Sequence, residues 1–194
     1  MKNTIENLAK AFVGESQARN RYTFYSKIAK EEGFEEISEI FLLTAENERE
    51  HAKQLLMMIN QLAKQDGLTL GEIKIDASVP TTFAKTAENL SGAIAGEHYE
   101  NSEMYPSFAA VAEKEGLGDI AARLRAIANA ESHHEERYKE LLSGVESDTL
   151  FNKDKKVQWV CRKCGYVHEG ERPPENCPSC DHPKNYFEIK CEVY

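Results

Sequence analysis

Glu48-Arg-Glu-His51 and Glu131-Ser-His-His134 are two copies of a Glu-x-x-His pair, and each lies in a segment rich in helix-forming residues. Residues three apart on a helix share a face, so each pair presents a carboxylate and an imidazole in the same direction. A single pair of this kind is a weak signal, because a short motif on a charged helix usually faces solvent. Two copies at matched positions favour a helical bundle that binds metal.

The surrounding sequence predicts four helices within residues 1–145, where Ala, Leu, Glu, Lys and Arg dominate. They are expected over about residues 4–32, 34–65, 81–116 and 119–142, from the apolar periodicity of the sequence. Gly33 ends the first helix, the third begins near Thr81 or Thr82, and Asp119 caps the fourth. The connection over residues 66–80 is long, which is typical of a ferritin-like bundle with a crossover between two hairpins.

Polar residues interrupt the apolar stripes of these helices. The inward-facing set is Glu15, Glu48, His51, Glu97, Glu100, Glu131 and His134. The acids expected off the stripes, facing solvent, are Glu46, Glu50 and Glu136. Glu103 and Glu135 are expected on a flank, where they either support the metal ligands or face solvent. Burial of an unpaired carboxylate costs several kcal/mol, so protons or cations must neutralise the inward set. Glutamate from two helices and Glu-x-x-His from two others match the di-iron bundle template, and iron accepts both ligand types.

An internal repeat relates the two predicted hairpins. An offset of 83 residues takes Glu48 to Glu131 and His51 to His134, but Glu15 reaches Glu97 with an offset of 82. The third helix therefore has one extra residue before Tyr105. Helices commonly absorb such an insertion as a π-bulge, so we expect one there, turning Glu100 inward.

The last part of the chain has a different composition. All five cysteines lie in it, as the pairs Cys161/Cys164 and Cys177/Cys180, with Cys191 left over. Two Cys-x-x-Cys pairs without a secretion signal indicate a tetrahedral metal site, and their spacing fits zinc at least as well as iron.

The aromatic residues of this tail predict a small core around the metal. That core is formed by Trp159, Tyr166 and Phe187. Cys191 is expected to be a buried structural cysteine, and His168 and His182 to lie at the surface.

Charge and hydropathy narrow the classes of function. The net charge of −9 disfavours nucleic acid and anionic membranes as partners. No apolar run is long enough for a membrane span, and no signal peptide is recognisable at the N-terminus, so a cytoplasmic protein is expected.

Over essentially its whole length the sequence resembles the rubrerythrins. The motifs that carry the resemblance are Gly14-Glu-Ser-Gln-Ala-Arg-Asn-Arg-Tyr22, Ala45-Glu-Asn-Glu-Arg-Glu-His51, Ile94-Ala-Gly-Glu-His-Tyr-Glu100, Glu131-Ser-His-His134 and the two cysteine knuckles. The resemblance implies an all-α four-helix ferritin-like bundle over residues 1–145, a linker over 146–155, and a small β-rich rubredoxin-like domain over 156–194.

The resemblance also implies three irons and their ligands. Cys161, Cys164, Cys177 and Cys180 would hold one iron, for which zinc is a possible substitute. Glu48 and Glu131 would bridge two irons in the bundle. Glu15, Glu97 and His134 would be terminal ligands. Glu100 and His51 would exchange at one iron, Glu100 in the oxidised and His51 in the reduced state, while Tyr22 and Tyr105 hydrogen-bond the carboxylates.

The implied activity is that of a peroxidase in oxidative-stress protection. It would reduce hydrogen peroxide to water at the di-iron site, with Glu100, His51, Tyr22 and Tyr105 as the catalytic group. Electrons would come through the four-cysteine iron from rubredoxin or an NAD(P)H-dependent reductase, and the chain would form a homodimer.

Three other functions remain open from the sequence alone. A ferroxidase or iron-handling protein predicts a hollow cage without an internal electron donor. A metal-stabilised interaction module predicts that Glu100 and His51 are dispensable. Activation of dioxygen on an organic substrate requires a substrate pocket, which the sequence does not reveal.

Overall fold

The structure, a computed structural model, describes residues 2–65, 67 and 71–191. Part of the predicted crossover, residues 66 and 68–70, and the end of the predicted tail, residues 192–194, lie outside the described residues. The helices are α1 (Lys2–Glu31), α2 (Glu35–Gln65), α3 (Thr86–Tyr99), α4 (Tyr105–Lys114) and α5 (Gly118–Glu146), with a π-helical segment (Glu100–Met104) joining α3 to α4. The α3–π–α4 unit is one distorted helix, so the predicted four-helix bundle is confirmed.

The two hairpins end their first helices in the same way. Gly33 adopts a φ of +84°, and the N–H of Phe34 donates to the carbonyl of Ala29 over 2.8 Å. In the second hairpin Gly116 has a φ of +78°, and Leu117 donates to Ala112 over 2.9 Å. This is the Schellman cap, in which glycine takes the left-handed position and a late carbonyl of the helix is satisfied. The internal repeat therefore extends to the backbone.

The extra residue of the third helix is absorbed where the sequence predicts. The N–H of Tyr105 donates to the carbonyl of Glu100, five residues earlier, instead of four. Pro106 lies in the first turn of α4, where its missing N–H removes no α-helical bond. The predicted π-bulge is confirmed.

Two details of the predicted helix starts are wrong. The third helix begins at Thr86, after the predicted start at Thr81 or Thr82. The N-cap of α5 is Leu117, which makes no side-chain cap hydrogen bond. Asp119 instead lies in the first turn of α5, where its negative charge favours the positive end of the helix dipole.

The apolar core of the bundle forms two clusters. One contains Leu8, Leu55, Leu62, Tyr105 and Leu124, and the other contains Tyr22, Phe41, Leu90 and Tyr138, among further buried residues. Between the sequence positions of the two clusters, each long helix contributes the polar inward-facing residues of the predicted site. The polar layer is thus enclosed by apolar packing on both sides.

The tail folds as a small sheet. Within its described residues, β1 (Val157–Cys161) pairs antiparallel with β2 (Val167–Gly170) on one side and with β3 (Phe187–Ile189) on the other. Trp159 and Phe187 are buried against the cysteines, and Tyr166 packs partly buried beside them, which confirms the predicted core.

Arg162 connects the tail to the bundle. Its guanidinium forms ion pairs with Glu39 of α2 and with Glu188 of β3. Along α2, Glu39 and Glu48 are separated by about 14 Å of helix, at 1.5 Å per residue. The tail therefore contacts the beginning of α2 and not the level of the polar layer.

Candidate metal centres

The polar layer is built by facing positions on α1, α2, α3 and α5. The carboxylates of Glu15, Glu48, Glu97 and Glu131 are completely inaccessible to solvent, and His134 is buried. His51 is partly buried, with 16% of its side chain exposed. Each of these side chains points into the bundle because its position continues the apolar stripe of its helix, as predicted from the sequence spacing.

The ligand atoms form two groups that share two residues. Within each group, the candidate atoms lie within 4.8 Å of one another. One group is Glu15, Glu48, His51 and Glu131, and the other is Glu48, Glu97, Glu131 and His134. Because Glu48 and Glu131 belong to both groups, two cations could bind side by side with these carboxylates between them.

The distances from the two imidazoles show how compact the layer is. His51 Nδ1 lies 2.8 Å from a Glu131 oxygen and 3.0 Å from a Glu48 oxygen. His134 Nδ1 lies 2.8 Å from the other Glu131 oxygen and 3.2 Å from the other Glu48 oxygen. Each histidine thus faces one oxygen of each shared carboxylate, which is the arrangement that bridging ligands require.

Many of these close atoms are not hydrogen-bonded. Among the described residues, buried atoms without a hydrogen-bond partner include Glu15 Oε2, Glu48 Oε1, Glu97 Oε2, both Glu131 oxygens and His134 Nδ1. Several of them lie near another polar atom but at angles unsuited to a hydrogen bond. Buried polar atoms are nearly always satisfied, so a cluster of unsatisfied oxygens aimed at a common centre fits cations. The carboxylate and imidazole donor set suits iron.

The electrostatics without cations lead to the same conclusion. Burial, followed by repulsion from Glu100, raises the pKa of Glu15 well above its ordinary value. Burial raises the pKa of Glu97 to about 8, against the opposing effect of the nearby His134. Burial would lower the pKa of His51, but the nearby carboxylates of Glu131 and Glu48 outweigh burial and raise this pKa to about 10. The layer therefore needs bound positive charge, as protons or as metal ions.

Two tyrosines bind the carboxylates that belong to only one of the two ligand groups. The hydroxyl of Tyr22 donates to Glu97, and the hydroxyl of Tyr105 donates to Glu15. Both rings are completely buried in the apolar clusters. Such hydrogen bonds fix the orientation of a metal-binding carboxylate.

Glu100 lies beside the two groups but belongs to neither of them within the described residues. Its side chain is buried on the π-helical segment and borders a cavity of about 500 Å³. This cavity is lined by α1, the crossover around Pro80 and the α3–π–α4 unit, including Gly14, Arg21, Gly96 and Glu100. Glu100 thus lies between the polar layer and the cavity, while His51 occupies the place within the group.

The four-cysteine site has the geometry of a metal site. Cys161 and Cys180 have sulfurs 3.7 Å apart, and the sulfurs of Cys164 and Cys177 are 3.6 Å apart. A disulfide bond is only about 2.0 Å long. A tetrahedral metal with metal–sulfur bonds of about 2.3 Å puts sulfurs about 3.8 Å apart. The tail therefore brings four cysteine sulfurs close enough together to coordinate one ion.

The two knuckles have equivalent backbones. Gly165 and Asp181 follow the second cysteine of each pair, adopt positive φ of 75° and 60°, and donate to the carbonyl of the first cysteine over 2.8 Å. The backbone N–H of Tyr166 lowers the pKa of Cys164 to about 6, which favours the thiolate that binds metal.

Cys191 is exposed, so the prediction of a buried structural cysteine is wrong. It follows β3 and does not belong to the buried cluster of Trp159, Phe187, Cys161 and Cys177. The acids predicted off the stripes, Glu46, Glu50 and Glu136, are exposed, and Glu103, predicted on a flank, is exposed as well. Glu135 is buried, although the sequence indicates only that it lies on a flank.

None of the helices in the described part of the chain combines the length and apolar composition that crossing a bilayer requires.

A buried carboxylate–imidazole layer in a four-helix bundle, joined to a four-thiolate module, defines a class of ferritin-like metalloproteins with a rubredoxin-like tail. Family models give the same result. The rubrerythrin model matches residues 6–142, and the model of the rubrerythrin rubredoxin-like domain matches residues 159–188. The chain belongs to the rubrerythrin family.

Individual relatives are similar over nearly their full length. A rubrerythrin-type protein of Methanocaldococcus jannaschii is 63% identical over 100% of this chain and 96% of its own. Rubrerythrin-1 of Clostridium acetobutylicum is 51% identical, covering 98% and 96%. A solved structure of fully reduced, all-ferrous nigerythrin superposes with a TM-score of 0.63 at 33% identity, covering 96% of this chain and 86% of that one.

Membership in this family, whose members are generally oxidoreductases, gives the two sites their identity. The chain has a di-iron-type carboxylate and histidine site in the bundle and a rubredoxin-like four-cysteine site in the tail, and the structure provides candidate metal-binding groups for both.

Proposed function

We propose that this chain is a non-haem di-iron peroxidase that reduces hydrogen peroxide to water and protects against oxidative stress. The observation that carries the proposal is that the two buried ligand groups share Glu48 and Glu131. Shared carboxylates hold two metals close together, so one peroxide molecule can receive an electron from each. The overall reaction consumes two electrons and two protons per peroxide and releases two water molecules.

The residue roles that we propose follow the positions of the side chains. Glu48 and Glu131 would be shared by the two ions, and Glu15, Glu97 and His134 would be terminal ligands. This assignment is supported by the unpartnered oxygens that face a common centre. Two ferrous ions, when bound, would supply the electrons that cleave the oxygen–oxygen bond.

The catalytic group that we propose is Glu100, His51, Tyr22 and Tyr105. Glu100 borders the cavity and the polar layer, so it is placed to exchange protons with a small oxidant that enters from solvent. His51 and Glu100 would alternate as ligands of one metal. The tyrosines keep the carboxylates of Glu97 and Glu15 oriented while that exchange takes place.

The electron supply that we propose uses the four-cysteine iron as the entry point. The bundle is assigned to residues 1–145, the linker to 146–155 and the rubredoxin-like domain to 156–194. The donor would be rubredoxin or an NAD(P)H-dependent reductase in the cytoplasm. Because the tail contacts the beginning of α2 in its own chain, we propose a homodimer in which each tail serves the partner's bundle.

A single-turnover experiment tests the peroxidase. The iron-loaded chain is reduced without oxygen and titrated with hydrogen peroxide while the visible absorption is recorded. We expect one peroxide to oxidise two bundle irons, and Cys164→Ser to preserve this single turnover while abolishing steady-state turnover with the donor. Faster oxidation by dioxygen together with a hollow multi-subunit assembly would instead identify an iron-handling protein, and a chain without iron would leave only an interaction module.

Mixed dimers test the electron path. Chains carrying Cys164→Ser and chains carrying Glu131→Gln are each expected to be inactive in steady state, since one lacks the tail centre and the other a shared carboxylate. Dimers that combine them should recover turnover, because an intact tail then faces an intact bundle. Mixed dimers that remain inactive would contradict transfer between chains.

A further inference from the structure

The side chain of Asn101 makes two hydrogen bonds at the start of the π-helical segment. Its amide nitrogen donates to the backbone carbonyl of Glu97 over 2.8 Å. The same nitrogen donates to Glu135 Oε2 over 2.6 Å, which crosses from the π-helical segment to α5. One side chain therefore ties the carbonyl of a candidate ligand to a neighbouring helix.

Glu135 is held firmly in its place. It is buried, and besides Asn101 it contacts His98 Nδ1 at 3.1 Å and Lys139 Nζ at 2.5 Å. Burial of a carboxylate is tolerated only with such partners. Because Glu135 directly follows His134, the same part of α5 carries both a candidate ligand and the acceptor for Asn101.

The internal repeat shows that this pair has no counterpart in the first hairpin. The offset of 83 residues relates Glu135 to Ala52, whose methyl group cannot accept a hydrogen bond. α1 is a regular α-helix and contains no π-helical turn over its described length. The Asn101–Glu135 contact therefore occurs in the half of the bundle that has the inserted residue.

The π-helical segment requires contacts with other helices to be stable. Its backbone bonds are shifted by one residue, as the bond from Tyr105 to Glu100 shows, and π-helical turns are intrinsically less favourable than α-helical ones. A side-chain amide that bonds the Glu97 carbonyl and α5 together limits the movement of this segment. Glu97 and Glu100 both depend on its position.

We propose that Asn101 and Glu135 are positioning residues of the metal centre: their cross-helix hydrogen bond holds the π-helical segment against α5 and so places Glu97 and Glu100 at the metal. The inference rests on the proposed function, because it takes these two glutamates as metal ligands. It adds residues that touch neither metal nor substrate.

The test compares Asn101→Ala with a matched control. Asn20 donates to the carbonyl of Ser16 over 2.9 Å, the same local bond four residues back along the helix, but on an exposed surface. Asn20→Ala thus removes an equivalent local bond, whereas Asn101→Ala also removes the bond to α5.

The measurement is a Co²⁺ titration of the metal-free full-length chain, followed by visible absorption. Thiolate bands report the tail site in the same sample, and ligand-field bands report the bundle. We expect Asn101→Ala to weaken bundle binding about tenfold or more and to alter the ligand-field bands, as loss of a supporting hydrogen bond does. The tail bands should not change, and Asn20→Ala should match the wild type.

A double variant in which the hydrogen-bond donor and acceptor are exchanged distinguishes loss of the Asn101–Glu135 bond from unfolding of the bundle. Asn101→Asp alone places two carboxylates in contact, whereas Asn101→Asp with Glu135→Gln restores a hydrogen bond between the helices. Recovery of Co²⁺ affinity in the double variant supports the proposal, and a folded double variant without recovery overturns it. Equal affinities for Asn101→Ala and Asn20→Ala also overturn it. A wild-type bundle that binds no metal would instead refute the proposed function.

Discussion

Removal of the metals should make the stability of the bundle fall as the pH rises. The reason is the charge of the polar layer, which protons must balance when metal is absent. Glu97 illustrates it, since burial raises its pKa to about 8 from an ordinary value of 4.5. Between these two values the folded chain binds a proton that the unfolded chain has released.

The size of the effect follows from linkage between proton binding and folding. Since the folded state binds more protons in this window, the free energy of unfolding decreases with rising pH. From about pH 5 to about pH 8, Glu97 alone accounts for about 3 kcal/mol, at about 1.4 kcal/mol per pKa unit. His51 acts in the same direction: its pKa is about 10 in the folded chain against an ordinary value of 6.5, so its contribution to stability declines between about pH 6.5 and pH 10.

Bound metal should reverse the slope. Metal binds only the deprotonated ligands, so its affinity, and with it the stability that it adds, increases with pH. The metal-free and metal-loaded chains are therefore expected to have opposite pH dependences over the same window.

Urea unfolding followed by far-ultraviolet circular dichroism measures this difference, because the signal comes mainly from the bundle helices. Glu97→Gln should flatten the pH dependence of the metal-free chain by about 3 kcal/mol over the window. Glu136→Gln changes an exposed glutamate of α5 and should leave the slope as it is. A metal-free wild type whose stability is constant or rises from acidic to alkaline pH would refute the reasoning.

Three further predictions concern single side chains. Tyr105→Phe removes the hydrogen bond to Glu15 and should weaken ferrous binding in the bundle about tenfold, measured by anaerobic titration; unchanged affinity would speak against an orienting role. Cys164→Ser should remove the visible colour of the tail iron while Cys191→Ser keeps it, and loss of colour in both would implicate the exposed cysteine as a ligand. Arg162→Ala removes the ion pair with Glu39 that joins the tail to α2, so limited trypsin digestion should cleave residues 146–155 faster with both metal sites still loaded; an unchanged rate would show that this pair does not hold the tail.

Spacing along the chain was sufficient to predict the features that repeat. The inward faces of α2 and α5 follow from the three- and four-residue steps that bring Glu48 and Glu131 into the core. The π-helical segment follows from a count, because the repeat offset changes from 82 to 83 between Glu97 and Tyr105. Both are local properties of a periodic helix, and neither needs a distant partner.

The start of the third helix shows what spacing could not reveal. The N–H of Thr86 donates a hydrogen bond of 2.9 Å to the carboxylate of Glu32, which lies just beyond α1. The N–H of Ala84 donates to Asn89 Oδ1, and Asn89 Nδ2 donates to the carbonyl of Ala84. These two hydrogen bonds hold the residues before Thr86 out of the helix. Because the capping carboxylate of Glu32 is 54 residues away in the sequence, the residues around Thr86 contain no capping motif from which the helix start could be predicted. The sequence left Glu135 open between supporting the ligands and facing solvent for the same reason, since its partner Asn101 lies in another helix.

The differences between the two hairpins are concentrated in one region. Both hairpins have the same glycine cap, the same Glu-x-x-His pair and one further inward glutamate, Glu15 in the first and Glu97 in the second. The π-helical segment, Glu100, and the contact between Asn101 and Glu135 occur in the second hairpin alone, as far as the described residues extend. An inserted residue disturbs helical hydrogen bonding and persists where function compensates for the cost. Because Glu100 also borders the cavity, the asymmetry lies on the cavity side of the polar layer. We infer that the repeated part of the bundle holds the metals and that the unrepeated part makes one of them reactive.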